Sequence, residues 1–274
     1  MDDVARHYGL ADLLNTILDR LADSGKDLNA LESDDLAAVD EFHIRGREAT
    51  VELASLASAR SNERVVDVGS GLGGSSRYLA AEHACRVDGV DLTPEYCEVA
   101  RELTRRVRLT ERVEFHCASA LAMPFDDQTF DLAWTQHVQM NIADKAGLYR
   151  EIHRVLKPGG RFVFHDILAG PKQPAHYPTH WAERAEMSHL ITPDGLRALL
   201  EDCGFRVVEW RDTTEVATGW YLAAAARAQR DGPPPLGLHL LLGDTGPAKF
   251  ANVGRNLSEQ RLTVYQGLLE SMES

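Results

Sequence analysis

The sequence predicts an α/β protein: a doubly wound, mostly parallel seven-stranded sheet with an N-terminal helical cap and a lid inserted after the fifth strand. Three observations carry this. From Glu63 onward short β-branched runs alternate with amphipathic helical stretches, the pattern of a parallel sheet with helices on both faces. The first of those runs ends in a glycine-rich turn, Val65 to Gly74. Ahead of it, residues 1–60 read as mostly helical, and behind the fifth strand a proline-rich stretch without period interrupts the alternation. The chain has 274 residues, is 44% hydrophobic and 26% charged. That composition is globular, and at this length folding buries roughly three quarters of the unfolded surface.

The cap, residues 1–60, opens with Leu10, Leu13, Leu14, Ile17, Leu18 and Leu21 at three- and four-residue steps. A short helix follows Ser33, and a longer one runs from Glu48 after a loop around Gly46. The core, residues 61–170, takes its strands from ERVVDVGS, CRVDGVDLT, VEFHCAS, FDLAWTQ and GRFVFHDILAG. Its helices are SSRYLAAEH, PEYCEVARELTRRVRL with an early proline, and DKAGLYREIHRVLK, which Pro158-Gly159-Gly160 stops. Residues 171–274 supply the lid, 171–192, and the last strands. Within them TPDGLRALLEDCGF is a helix capped by Thr192 and ended at Gly204. RVVEWRD is a sixth strand, and an alanine-rich helix follows Thr213. The run RLTVYQGLLE suits helix or strand; topology favours a last strand, at the edge or inserted.

Charge and cysteine usage narrow the function classes. Lys and Arg number 29 against 42 Asp and Glu, a net charge of −13. About half of it lies in the cap, so nucleic acid and anionic membrane surfaces are poor partners. Cys85, Cys97, Cys117 and Cys203 form no C-x-x-C and read as buried free thiols in a reducing compartment. The first residues lack the apolar core of a signal peptide, and no run reaches the ~18 apolar residues of a membrane span. These features predict a cytoplasmic protein.

The sharpest motif is VVDVGSGLGG. Gly69, Gly71 and Gly74 satisfy G-x-G-x-x-G, and Asp91 ends the next strand about twenty residues on, the spacing at which a carboxylate accepts ribose hydroxyls. Asp67, two residues before the first glycine, refines this. A strand-end carboxylate is costly to bury unpaired. Beside a pyrophosphate it would repel, whereas a ligand carrying an ammonium group would offset it. S-adenosylmethionine has both the ribose and the ammonium. The alternative, Asp67 merely capping the glycine loop, stays open.

DVGSGLGG, Asp91, FDLAW and RVLKPGGRFVF together resemble a class I S-adenosylmethionine-dependent methyltransferase over roughly Glu63 to Ile167. WTQHVQMNI and FHIRGREAT resemble, more narrowly, the small-molecule branch with sarcosine/dimethylglycine and phosphoethanolamine N-methyltransferases. The resemblance implies the Rossmann-like fold and S-adenosylmethionine as methyl donor. It implies donor contacts at Asp67, Gly69, Ser70, Gly71, Gly73, Asp91, Leu92, Ser119, Ala120 and Gln136, with Ser119 standing where the family usually has an acidic residue. Gln136 and His137 fall where the family places the acceptor. The phosphoethanolamine branch has a catalytic His where this chain has Asn141.

His137 and His43 are candidate bases, since His titrates near neutrality; with Gln136 they form the catalytic candidates. Tyr8 and Phe42 in the cap are placed to close over a sulfonium. His43 and Arg45 are acceptor contacts from the same segment, and Tyr177, His180 and Trp181 are acceptor contacts from the lid. No metal is expected: His176 and His180 lack the H-E-x-x-H pattern. The expected partner is a small-molecule acceptor, an amine nitrogen by resemblance, and a homo-oligomer stays open. O-, S- or C-methylation, a nicotinamide-dependent oxidoreductase and a non-catalytic S-adenosylmethionine sensor are the alternatives.

Overall fold

A computed structural model describes residues 13–232, 234 and 236–273. The cap holds α1 (Leu13–Asp23), α2 (Ser33–Asp40) and α3 (Gly46–Ala57). In α1 the four-residue steps bury Leu13, Ile17 and Leu21. At the start of α2 the Glu32 backbone N–H donates to Asp35 Oδ2 at 3.0 Å, satisfying a helix-end donor. Leu53, Ala54 and Ala57 of α3 are buried within the hydrophobic cluster on one face of the sheet.

Seven strands form that sheet: β1 (Arg64–Val68), β2 (Arg86–Asp91), β3 (Val113–Cys117), β4 (Phe130–Gln136), β5 (Leu156–Ala169), β6 (Phe205–Asp212) and β7 (Leu262–Ser271). They lie in the order β3-β2-β1-β4-β5-β7-β6. The first five pair in parallel, and β7 runs antiparallel to both β5 and β6. The helices between them are α4 (Gly74–His83), α5 (Pro94–Arg106), α6 (Lys145–Val155) and α7 (Pro193–Asp202), then α8 (Thr214–Asp231) and α9 (Gly246–Ser258). The chain's direction across the sheet reverses between β1 and β4, where ligands bind in open α/β sheets.

One boundary differs from the sequence reading, and one open choice is resolved. α6 ends at Val155, and Leu156 and Lys157 already belong to β5, because Leu156 pairs with Phe130 of β4 before the proline is reached. The C-terminal run is a strand, and it is inserted rather than at the edge. Side chains of β7 alternate between buried and half-exposed, with Val264 and Leu269 fully buried. At Gly267 the strand passes so close to the Phe164 ring that a Cβ would collide with it. Cys85, Cys97 and Cys203 are buried as expected, but Cys117, the last residue of the edge strand β3, is exposed.

The lid, 170–192, is irregular apart from one short turn at Ala185–Met187. Trp181 anchors it in a cluster with Ile44, Met140, Ile167, Tyr221 and Val253. Asn256 of α9, fully buried, clamps it: the side chain accepts from the His176 N–H at 2.7 Å and donates to the His176 carbonyl at 2.9 Å.

The cap is joined to the core by a buried ion pair. Arg77 of α4 donates to Asp40 Oδ2 at 2.5 Å and to the Leu72 carbonyl at 2.6 Å, and its other terminal nitrogen reaches Thr104 Oγ1 of α5 at 3.1 Å. Both charged side chains are sealed from solvent. Gly74 makes the approach sterically feasible, since a Cβ there would overlap the Asp40 carbonyl oxygen. Removing one partner leaves the other buried and unpaired. Arg77→Leu is therefore expected to destabilise the fold by about 3–5 kcal/mol, read as a lower urea midpoint. A loss under about 1 kcal/mol would show that the pair contributes little.

Candidate active site

The site is built on the turn after β1. Gly69, Gly71 and Gly73 all take left-handed φ, at 75°, 53° and 83°, so the turn needs glycine at 73 as well as at the first two positions. The N–H groups of Gly69 and Ser70 donate to the Val90 carbonyl at 2.7 and 3.0 Å, tying the turn to the end of β2. A Cβ at Gly69 would collide with Val138, which follows β4.

Two strand-end carboxylates flank the turn. Asp91 Oδ2 accepts the Gly71 N–H and Oδ1 the Thr93 N–H, each at 2.9 Å. Burial raises its carboxyl above the ordinary range, and those two backbone bonds partly oppose it. Asp67 is 3% exposed and accepts the Ser76 hydroxyl of α4 at 2.6 Å. Burial pushes it up to about 7 against that bond, and the charges of Asp91 and Glu41 push the same way. Its hydrogen-bond partner is thus a helix side chain rather than the loop N–H groups.

A cavity of about 630 Å³ opens over this turn, roofed by the cap and the lid. Asp67, Gly69, Ser70, Gly71 and Asp91 line one end, with Leu92, Ser119 and Ala120 beside them. The Ser70 hydroxyl is buried with no hydrogen-bond partner among the described residues. Gly73, by contrast, faces Phe115 and Arg77 and stays out of the lining. Phe42, His43, Gln136, His137, His180 and Trp181 line the cavity as well. The Phe42 ring lies over Gly71, 3.5 Å from where a Cβ would stand.

Two expected acceptor contacts do not reach the cavity. Arg45, at a left-handed φ of 73°, turns its guanidinium onto Glu52, with contacts of 2.5 and 2.7 Å. Tyr177 packs instead against the cluster beneath α8 and α9. Tyr8 lies outside the described residues.

Gln136 is the hub of a network. Its Oε1 accepts from Ser75 Oγ at 2.5 Å and from the Trp134 indole at 2.8 Å, and its Nε2 lies 3.0 Å from His43 Nε2 and 3.3 Å from Thr50 Oγ1. Both ends of the amide are engaged by protein groups. His137 has a left-handed φ of 54°, and its N–H donates to the His165 carbonyl at 2.9 Å. Its ring stacks on that of His165 at 5.1 Å. Enclosure pushes this imidazole well below the ordinary His value, and the neighbouring histidines push it further.

Sequence reasoning missed Glu41, Thr50 and Ser75, which reach the site only through folding; the spacing of Glu41 and His43 was the one local signal. His176 pairs with Glu259 at 2.8 Å away from the cavity, whereas His180, in the lining, lies 3.0 Å from the Tyr221 hydroxyl. No described helix is long and apolar enough to cross a membrane.

Comparison with known proteins places this geometry. Residues 66–164 match the family described as a methyltransferase domain. The sarcosine/dimethylglycine N-methyltransferase of Halorhodospira halochloris is 32% identical over 150 residues, 55% of this chain and 54% of that one. The chain spans about half the length of the curated relatives it matches, or less. Among solved structures, phosphoethanolamine N-methyltransferase 2 of Haemonchus contortus superposes with a TM-score of 0.73 at 19% identity, covering 85% of this chain and 55% of that one. That protein was solved with phosphomonomethylethanolamine and S-adenosylhomocysteine. Geranyl diphosphate C-methyltransferase of Streptomyces coelicolor superposes at 0.70 and 18% identity, covering 99% and 97%. At such identities these two likenesses are of fold. Residues 66–164, from β1 into β5, thus form a methyltransferase domain, and the seven-stranded sheet is complete around it.

Proposed function

We propose that this chain transfers a methyl group from S-adenosylmethionine to a small molecule, with an amine nitrogen the preferred acceptor. One observation carries the reading. Asp91 and Asp67 stand on either side of the glycine turn at one end of the cavity, the first held by two backbone N–H groups and the second buried and drawn toward neutrality. A diol with an adjoining cation suits both, and the unpartnered Ser70 hydroxyl offers the ligand one more polar contact.

S-adenosylmethionine, when bound, supplies an electrophilic methyl on a sulfonium. The chain's residues are left to hold charge, orient the acceptor and exclude water. Asp91 keeps lone pairs for the ribose hydroxyls, and Asp67 ionises against the ammonium. Phe42 covers Gly71 and presents an aromatic surface near the cation. Trp181 is fixed by its indole bond to Ser188 Oγ at 2.9 Å and, with His180, walls the acceptor end. The relative from Halorhodospira supports the amine. Met140, Ile142, Met187 and Leu242 along the same wall favour, as a second reading, O-methylation of a larger apolar acceptor. In this scheme residues 1–60 cap the site, 61–170 bind the donor, and 171–274 close the acceptor end and complete the sheet. The three buried free thiols suit a reducing cytoplasm.

Calorimetry with S-adenosylmethionine, S-adenosylhomocysteine and NAD in parallel is the direct test. Micromolar binding of the first two and none of NAD is expected; binding of NAD alone would overturn the reading. Asp91→Ala should weaken binding of the first two by about 1–3 kcal/mol, from lost charged hydrogen bonds.

Asp67 sets a pH dependence. Its folded value, about 7, lies above the ordinary carboxyl value of 3.8, so the folded protein holds a proton there that the unfolded chain has lost. That contribution to stability is complete below the unfolded value and declines as pH rises toward 7. A cationic ligand selects the ionised form, so S-adenosylmethionine affinity should rise between pH 6 and 8. Asp67→Asn should flatten this rise and raise the melting temperature above pH 7. An affinity that instead falls across that range would rule out a cation beside Asp67.

A further inference from the structure

We propose that Glu41 and His43 act as a carboxylate–imidazole pair, in which His43 takes the proton from the methyl acceptor and Glu41 positions the ring. The inference rests on the methyl-transfer reading above.

The two nitrogens of His43 meet different surroundings. Nε2 lies 2.9 Å from the Gly46 carbonyl and 3.2 Å from Glu41 Oε2. Glu41 Oε2 also accepts the Thr50 hydroxyl at 2.6 Å, and Glu41 Oε1 faces Arg47 Nε at 3.1 Å. Burial would raise the Glu41 carboxyl, but His43, Arg47 and Thr50 together hold it below the ordinary value, so it is ionised. A carbonyl and a carboxylate thus both face Nε2. The indole of Trp134 can only donate, which fixes Oε1 of Gln136 toward it and turns the amide Nε2 toward His43 and Thr50. That amide has the Thr50 oxygen to donate to, and two acceptors outweigh one donor at the imidazole. In the neutral ring the proton therefore sits on Nε2.

Nδ1 is then the bare nitrogen. It has no hydrogen-bond partner among the described residues, yet it is absent from the polar atoms that are both sealed and unpartnered, so it keeps contact with open space. His43 lines the cavity. The other imidazoles are worse placed: His137 and His165 stack on one another, and burial pushes His165 down to about 3.

The step balances. A proton leaves the acceptor nitrogen or oxygen for Nδ1, and the freed lone pair bonds the methyl carbon as the carbon–sulfur bond breaks with its electrons going to sulfur. The resulting imidazolium lies against the Glu41 carboxylate, and its proton later passes to water. The other titratable groups facing His43 are Asp67 from β1 and the rings of His137 and His165 at 6.0 and 5.8 Å, while Arg47 and Asp40 act on Glu41 behind it.

Two measurements on the full chain test this. Long-range 1H–15N spectra of labelled protein, with His43 identified by its loss in His43→Asn, should show the Nε2–H tautomer in the neutral ring. A proton on Nδ1 overturns the proposal whatever the acceptor proves to be. With sarcosine and dimethylglycine as probes, His43→Asn should lower kcat by about 100-fold or more, the scale of general-base catalysis. Glu41→Gln should lower kcat less and move the acid limb of the kcat/KM profile to lower pH. S-adenosylhomocysteine affinity should stay within about threefold in both variants. A His43→Asn kcat within about threefold of the parent, or an unmoved acid limb in Glu41→Gln, makes the pair a purely structural one and sinks the proposal. Parent protein that fails to bind S-adenosylhomocysteine defeats the methyl-transfer reading itself, a result the variants cannot mimic. If neither probe turns over, the amine reading fails and the tautomer decides for or against the pair.

Discussion

Everything at the mouth of the cavity depends on the docking of Asp40 against Arg77. Asp40, Glu41, Phe42 and His43 are consecutive in the chain. Once Asp40 is seated on the start of α4, the next residues have no freedom to be elsewhere: Glu41 meets Thr50 and Arg47, Phe42 lies over Gly71, and His43 reaches Gln136. Two desolvated charges are a costly way to join a cap to a core, and Coulomb attraction alone would not offset it. The extra bonds from Arg77 to Leu72 and Thr104 provide the remainder. The same guanidinium thereby ties the cap, the glycine turn and α5 into one unit.

Electrostatics give the site its preference for a cation. Asp40, Asp67 and Asp91 sit around one end of the cavity, and burial raises all three carboxyls toward neutrality. Such groups have more to gain from a positively charged ligand than exposed carboxylates do, because solvent has already been removed from them. Elsewhere in the lining burial holds His137 and His180 neutral, and Met140, Ile142, Met187 and Leu242 add apolar surface.

Much of this arrangement was legible in advance, for a local reason. Glycines at 69 and 71, a strand-end Asp67 and a following Asp91 lie within one strand–turn–helix–strand unit, whose geometry short-range sterics dictate. The lid and its Trp181 were legible as well, because three prolines deny 171–192 a regular period. Arg45 and Tyr177 were misread because side-chain direction at an irregular segment depends on backbone torsion and neighbours. A left-handed φ at Arg45 and a carboxylate two helix turns further on send its guanidinium away from the cavity. Gly73 and Gly74 exchanged roles similarly: the torsion needs glycine at 73, whereas glycine at 74 answers to the cap passing over it.

By itself, then, the sequence determined the order of strands and helices, the glycine turn and the two carboxylates beside it, all consequences of periodicity and local backbone geometry. Tertiary structure decided the rest. It inserted β7 between β5 and β6, brought Glu41 and Thr50 to one imidazole, and stacked His137 on His165. Those outcomes rest on contacts between residues far apart in the chain, and on burial, which changes what a carboxyl or an imidazole does without changing the residue.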